Sequence, residues 1–159
     1  MKIILLILKV EVVVMKKVFW GFLGIIALSF GFAQTPGIGF YSGYPTYLGL
    51  QYQSASLRLG AGFGFFGVAG DAAFILAKTP LPSSPGLAMS WYYGLGLGAS
   101  AYLGGAVFGI YPHGLVGVEV QLPDPTINPY FEGQLGANVL LPGAAFGPYF
   151  AGRVGVILR

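Results

Sequence analysis

The 159-residue chain has no cysteine, one histidine and few charges, with 8 Lys and Arg and 5 Asp and Glu making up 8% of the residues. Without cysteine there is no disulfide framework, thiol nucleophile or thiolate metal site. A single histidine excludes a multi-histidine metal centre, and any His-dependent serine mechanism must rest on His113 alone. An average soluble domain is about 25% charged, so this chain lacks the groups to cover a water-facing surface. Intrinsic disorder is excluded as well, because it requires low hydrophobicity and high charge. What is present instead is 55% hydrophobic residues, 16% aromatic residues and 27 glycines, without the G-X-Y period of collagen. Such a composition points to a single domain whose solvent is a membrane.

The few charges are unevenly placed. Residues 1–33 hold four lysines (Lys2, Lys9, Lys16, Lys17) against Glu11, a net +3. The remainder holds Arg58, Lys78, Arg153 and Arg159 against Asp71, Glu119, Asp124 and Glu132, a net charge of zero. The basic balance therefore belongs to the leader, and nucleic acid is not an expected partner. From Met15 the chain reads as a signal peptide: Lys16 and Lys17, an apolar run Val18–Phe32, then Gly31 and Ala33 at the −3 and −1 positions of a cleavage site. Cleavage after Ala33 leaves a working domain of residues 34–159. Residues 1–14 add a second apolar stretch with no evident purpose, which suggests that translation starts at Met15. With no cysteine after the cleavage site, lipoprotein anchoring is excluded.

Beyond the leader the sustained period is two, as in strands with two unlike faces. In 87–103, Leu87, Met89, Trp91, Tyr93, Leu95, Leu97, Ala99, Ala101 and Leu103 alternate with Ala88, Ser90, Tyr92, Gly94, Gly96, Gly98, Ser100 and Tyr102. A helix here would be penalised by about 1 kcal/mol for each glycine. The same alternation sets Leu57, Leu59 and Phe63 against Arg58, Gly60 and Gly62, and Ala72, Phe74 and Leu76 against Asp71 and Ala73. It also sets Val116, Val118 and Val120 against Gly117 and Glu119, Phe131 and Leu135 against Glu132 and Gln134, and Val154 and Val156 against Arg153 and Gly155. A soluble barrel or sandwich keeps its apolar face inside and a charged face outside. Here the polar face is small and glycine-rich, suited to a narrow interior, so the apolar face is the outside and lipid its solvent. Backbone in lipid must satisfy its own hydrogen bonds, which strands achieve by closing into a barrel.

The expected fold is all-β, an antiparallel up-and-down transmembrane barrel of about eight strands near 37–42, 46–54, 57–66, 69–78, 87–103, 105–122, 127–140 and 146–158. Turn signals at Gly43-Tyr44-Pro45, 79–86, Pro123-Asp124-Pro125 and Pro142-Gly143 separate them. Pro112 is expected at a bulge or beyond the membrane, since it has no ladder donor. The segments YYGLGLGASA (92–101), GLVGVEVQL (114–122), NPYFEGQLGANVL (128–140) and GRVGVIL (152–158), together with the signal ending at Ala33, resemble the small OmpA/OmpX-like outer-membrane barrels of diderm bacteria. The resemblance lies in the pattern and covers nearly all of the domain. It implies residence in the outer membrane, with lipid and the barrel-assembly machinery as partners. The outward loops expected at 43–45, 67–68, 104 and 141–145 are short for that family, which disfavours adhesion.

Arg58, Asp71, Glu119, Glu132 and Arg153 are expected to face inward as a paired polar cluster, because an eight-stranded interior is just wide enough for side chains to fill. A pairing of Arg58 or Arg153 with Glu119 or Glu132 across the lumen follows, with glycines on the same face leaving room for the arginines. Trp91, Tyr93, Tyr111, Tyr130, Tyr149 and Phe150 are expected to form aromatic girdles at the membrane interfaces. No metal or other cofactor is implied. The leading functional expectation is a non-enzymatic envelope protein with a filled lumen and a structural or interaction role. A porin-like pore or conduit for small solutes or apolar molecules is the alternative, and a lipid hydrolase using His113 with Ser90 or Ser100 is a second. An apolar-ligand barrel that is soluble is a further one.

Overall fold

Alternation of glycine and small polar residues with large apolar ones selects extended backbone and gives every strand two unlike faces. The computed structural model describes residues 35–64, 67–84, 86–104, 107–124 and 126–159. Eight strands lie within them: Gly37–Gly43 (β1), Thr46–Gln53 (β2), Leu57–Gly64 (β3), Gly67–Ser84 (β4), Leu87–Tyr102 (β5), Val107–Gln121 (β6), Ile127–Leu141 (β7) and Ala145–Leu158 (β8). The expected leader, with its start at Met15, lies outside the described residues. Each strand pairs antiparallel with its chain neighbour, and β1 pairs with β8, so the sheet closes into an up-and-down barrel. No helix occurs among the described residues.

Closure leaves one inner and one outer face. The outer face carries Ile38, Leu48, Phe63, Leu95, Phe131 and Phe150, each at least 60% exposed. The inner face buries Arg58 and Glu119 completely, along with Asp71, Glu132 and Arg153. This is the reverse of a soluble barrel. A small apolar cluster of Ala73, Ile75, Tyr92 and Leu115 also lies inside.

Three features depart from the sequence expectation. The segment 79–86, read as a turn, is strand as far as Ser84 in β4. The ladder with β3 ends at the Leu57–Phe74 pair while that with β5 continues to Ser84. The far part of β4 therefore needs no donors on its β3 side, and Pro80 and Pro82 are compatible with an edge of this kind. Second, Pro112 sits at neither a bulge nor a strand end. The β6–β7 ladder lapses between the Ile110–Val139 and His113–Gly136 pairs and resumes in the same register. Third, the β4–β5 register shifts between Ile75 and Ala77, a bulge that reverses the inside–outside phase of the residues that follow as far as Leu81, and it shifts again between Leu81 and Ser84.

Candidate functional site: the barrel lumen

The inner face is organised by pairing tyrosine with glycine. All five buried tyrosines of the lumen stand directly opposite a glycine on a neighbouring strand: Tyr41 by Gly49 and Gly155, Tyr92 by Gly117, Tyr111 by Gly98, Tyr130 by Gly155 and Tyr149 by Gly136. Four of the five rings, all but Tyr149, lie over the missing side chain. A Cβ added at Gly49, Gly98, Gly117 or Gly155 would strike the ring of Tyr41, Tyr111, Tyr92 or Tyr130. His113 fits the same pattern, because a Cβ on the opposite Gly96 would meet its imidazole. The glycines thus make room chiefly for tyrosine rings, rather than for the arginines.

This corrects half of the expected girdle. Tyr111, Tyr130 and Tyr149 are buried at 2%, 1% and 2% exposure, whereas Trp91, Tyr93 and Phe150 lie on the outer face, the first two stacked at 5.6 Å between centroids. The physical reason is strand parity. Tyr111 shares the phase of Gly117 and Glu119, Tyr130 that of Glu132, and Tyr149 that of Arg153.

The charged side chains cross the lumen. Arg58 on β3 forms a two-pronged ion pair with Glu132 on β7: Nη1 donates to Oε2, and Nη2 to Oε1 at 2.7 Å. In an eight-stranded ring, strands four apart are diametrically opposed, so this pair spans the barrel. A second pair does the same between β8 and β4, with Arg153 Nη1 donating to Asp71 Oδ1 and Oδ2 at 2.9 and 3.0 Å. The Arg153 guanidinium also lies 4.5 Å above the centre of the Tyr41 ring. Glu132 accepts further bonds from the Tyr92 hydroxyl (3.0 Å) and Gln134 Nε2 (2.8 Å). The Tyr149 hydroxyl donates to Gln134 Oε1 at 3.0 Å, and Tyr130 to Gln51 Oε1 at 2.7 Å. A buried carboxylate is tolerable when charge and hydrogen bonds compensate it in this way.

Glu119 pairs with neither expected arginine. It meets Lys78 Nζ at 2.9 Å and Arg159 Nη1 at 2.5 Å, near the end where β1 begins and β8 ends. Strict alternation places Lys78 outside, in phase with Leu76. The bulge at 75–77 brings it opposite the inward Tyr92 instead. The inward phase of Gln51, Gln53 and Gln134 is legible in the alternation, but their partners are set only by closure.

His113 is 4% exposed, stacks on Tyr111 and meets Tyr149 at a tilt, while the two tyrosine rings stack on each other. Its Nδ1 lies 3.0 Å from the Tyr111 carbonyl, and its Nε2 faces Asp71 Oδ2 at 4.0 Å. Only Nδ1 has a hydrogen-bond partner; Nε2 has none among the described residues, so neither nitrogen contacts a serine hydroxyl, as a serine mechanism requires. Ser90 and Ser100 lie far apart along β5, opposite Glu119 and Gly109. Among the described residues no group of three or more His, Asp or Glu is placed to hold a metal ion. Comparison with protein-family models, with curated proteins and with solved structures found no match to the chain.

Proposed function

We propose that the protein is an integral outer-membrane β-barrel of the OmpA/OmpX-like kind, exported by the leader and inserted by the barrel-assembly machinery. Its role is structural or interactive in the cell envelope, without enzymatic activity. The observation that carries this reading is the inversion of the two faces: leucine, isoleucine and phenylalanine outside, arginine, aspartate and glutamate inside. Soluble monomers rarely expose contiguous apolar patches above a few hundred Å², whereas an outward apolar band and a polar interior are what a bilayer demands of a barrel. Trp91 and Tyr93 on the outer face fit one interfacial girdle.

The lumen favours a plug over a pore. Two diametric ion pairs and five inward tyrosines occupy an interior that eight strands make only wide enough for side chains. The hydrolase alternative lacks a base–serine contact at His113.

The test is electrophoretic mobility of the detergent-folded protein with and without boiling, alongside circular dichroism. A heat-dependent shift with β-type dichroism is expected. Solubility of the folded protein in plain buffer, with no shift, refutes the membrane reading and makes the apolar-ligand barrel the leading one.

A further inference from the structure

One end of the barrel carries no charge at all. Its four connections, together with the strand ends that flank them, comprise residues 43–47, 64–67, 102–108 and 141–146, and none of these is Asp, Glu, Lys, Arg or His. Large apolar or aromatic side chains are exposed there instead: Tyr44, Tyr47, Leu103 at 77%, Phe108 and Phe146 at 76%. The opposite end differs. It holds Lys78, Glu119 and Arg159 at the mouth of the lumen and Asp124 in the β6–β7 turn.

The height of the barrel says where the charge-free end lies. On β5 the stacked Trp91 and Tyr93 mark one interface, and the connection at Leu103 is ten residues beyond Tyr93. At about 3.3 Å per residue and a tilt near 40°, ten residues rise about 25 Å, the height of the outward apolar band of such barrels. Phe131 to Leu141 on β7 is a run of the same length. If the Trp91 and Tyr93 level sits at one face of the hydrocarbon, the β5–β6 and β7–β8 connections reach the other face and go no further, whereas the β1–β2 connection, whose Gly43 pairs with Arg153 eight residues along β8 from Ala145, ends lower. At these two connections the described residues leave no chain to form a water-exposed ectodomain.

Resting on the membrane reading above, we infer that this end is covered by lipid and that its β5–β6 and β7–β8 connections terminate within the headgroup layer of one leaflet. The occupant is lipid because the end is continuous with the apolar outer face, and because it offers neither a charge to water nor a cation to anionic headgroups. The headgroup layer, rather than the hydrocarbon, supplies water and ester oxygens to the backbone of the connections, which hydrocarbon would leave unsatisfied. Among the described residues, the surface left for polar contacts is then the opposite end, with the β6–β7 turn and the β4–β5 hairpin.

The absence of cysteine allows a clean test. Leu103→Cys, Phe146→Cys, Leu95→Cys and Asp124→Cys variants of the full chain are folded into phosphatidylcholine vesicles with a polymer-linked maleimide on both sides. Labelling after boiling in SDS measures full reactivity. Asp124→Cys is expected to label fast, and Leu103→Cys and Phe146→Cys about tenfold more slowly or less, since apolar surroundings suppress the thiolate. Labelling of Leu103→Cys and Phe146→Cys as fast as Asp124→Cys, with Leu95→Cys protected, overturns the inference and leaves the membrane reading intact. Fast labelling of Leu95→Cys, in the middle of the band, overturns both.

Discussion

Removing one partner of the Arg58–Glu132 pair tests the organisation of the lumen most directly. Both side chains are fully buried, and the pair spans the barrel between β3 and β7. In Arg58→Met, Glu132 keeps the Tyr92 hydroxyl and the Gln134 amide but loses its counter-charge. In Glu132→Gln, Arg58 keeps its charge and loses its two-pronged acceptor. Stranding a buried charge costs about 3–5 kcal/mol, so each single variant is expected to be destabilised on that scale. The double variant Arg58→Met/Glu132→Gln carries no stranded charge, and the new amide oxygen still accepts from Tyr92. Its loss is expected to be smaller than that of either single variant, with a coupling energy of at least about 2 kcal/mol. Reversible urea unfolding in detergent micelles, followed by tryptophan fluorescence and by gel mobility, measures all four corners of the cycle. Additivity within about 0.5 kcal/mol, the level expected of independent sites, would falsify the claim that these two groups compensate each other across the lumen.

The tyrosine–glycine packing predicts that position matters more than composition. Gly98→Ala and Gly117→Ala should each cost about 1–3 kcal/mol in the same unfolding assay, because the new methyl strikes the Tyr111 or Tyr92 ring. Gly133→Ala, with open space around its Cβ, should be neutral or slightly stabilising; equal losses at all three sites would contradict the packing argument. The filled lumen predicts planar-bilayer recordings without steady conductance steps, and resolved unitary openings of the wild-type protein would refute the plug. The unpaired stretch of β4 gives a fourth test. The Ile75 amide reaches the Ser56 carbonyl on the β3 side, and after the bulge the same edge receives the nitrogens of Lys78 and Pro80, the latter without a proton. Pro80→Thr restores a donor to that edge and should promote self-association on size exclusion in detergent, whereas an unchanged elution volume would show that the proline does not guard it.

Period-two alternation by itself determined strand type, the closed sheet and the sorting of residues between faces, because side-chain direction in a strand is a local property that follows parity. Arg58, Asp71, Glu119, Glu132 and Arg153 were all placed inside on that ground. Parity also carried Tyr111, Tyr130 and Tyr149 inside, yet their aromatic character pointed to an interfacial belt. Composition misled there because it does not reveal that each ring stands opposite a glycine, a fact of inter-strand register. Lys78 shows the converse: its own parity reads outward, and a one-residue bulge reverses it. The pairing partners were legible only in part: an arginine–glutamate pair across the lumen was expected, and Arg58–Glu132 is one of the four combinations allowed, but sequence did not choose among them. That Arg58 meets Glu132, Arg153 meets Asp71, and Glu119 takes Lys78 and Arg159 depends on which residues of opposed strands share a level in the closed barrel. That level is set by the stagger accumulated around the whole ring.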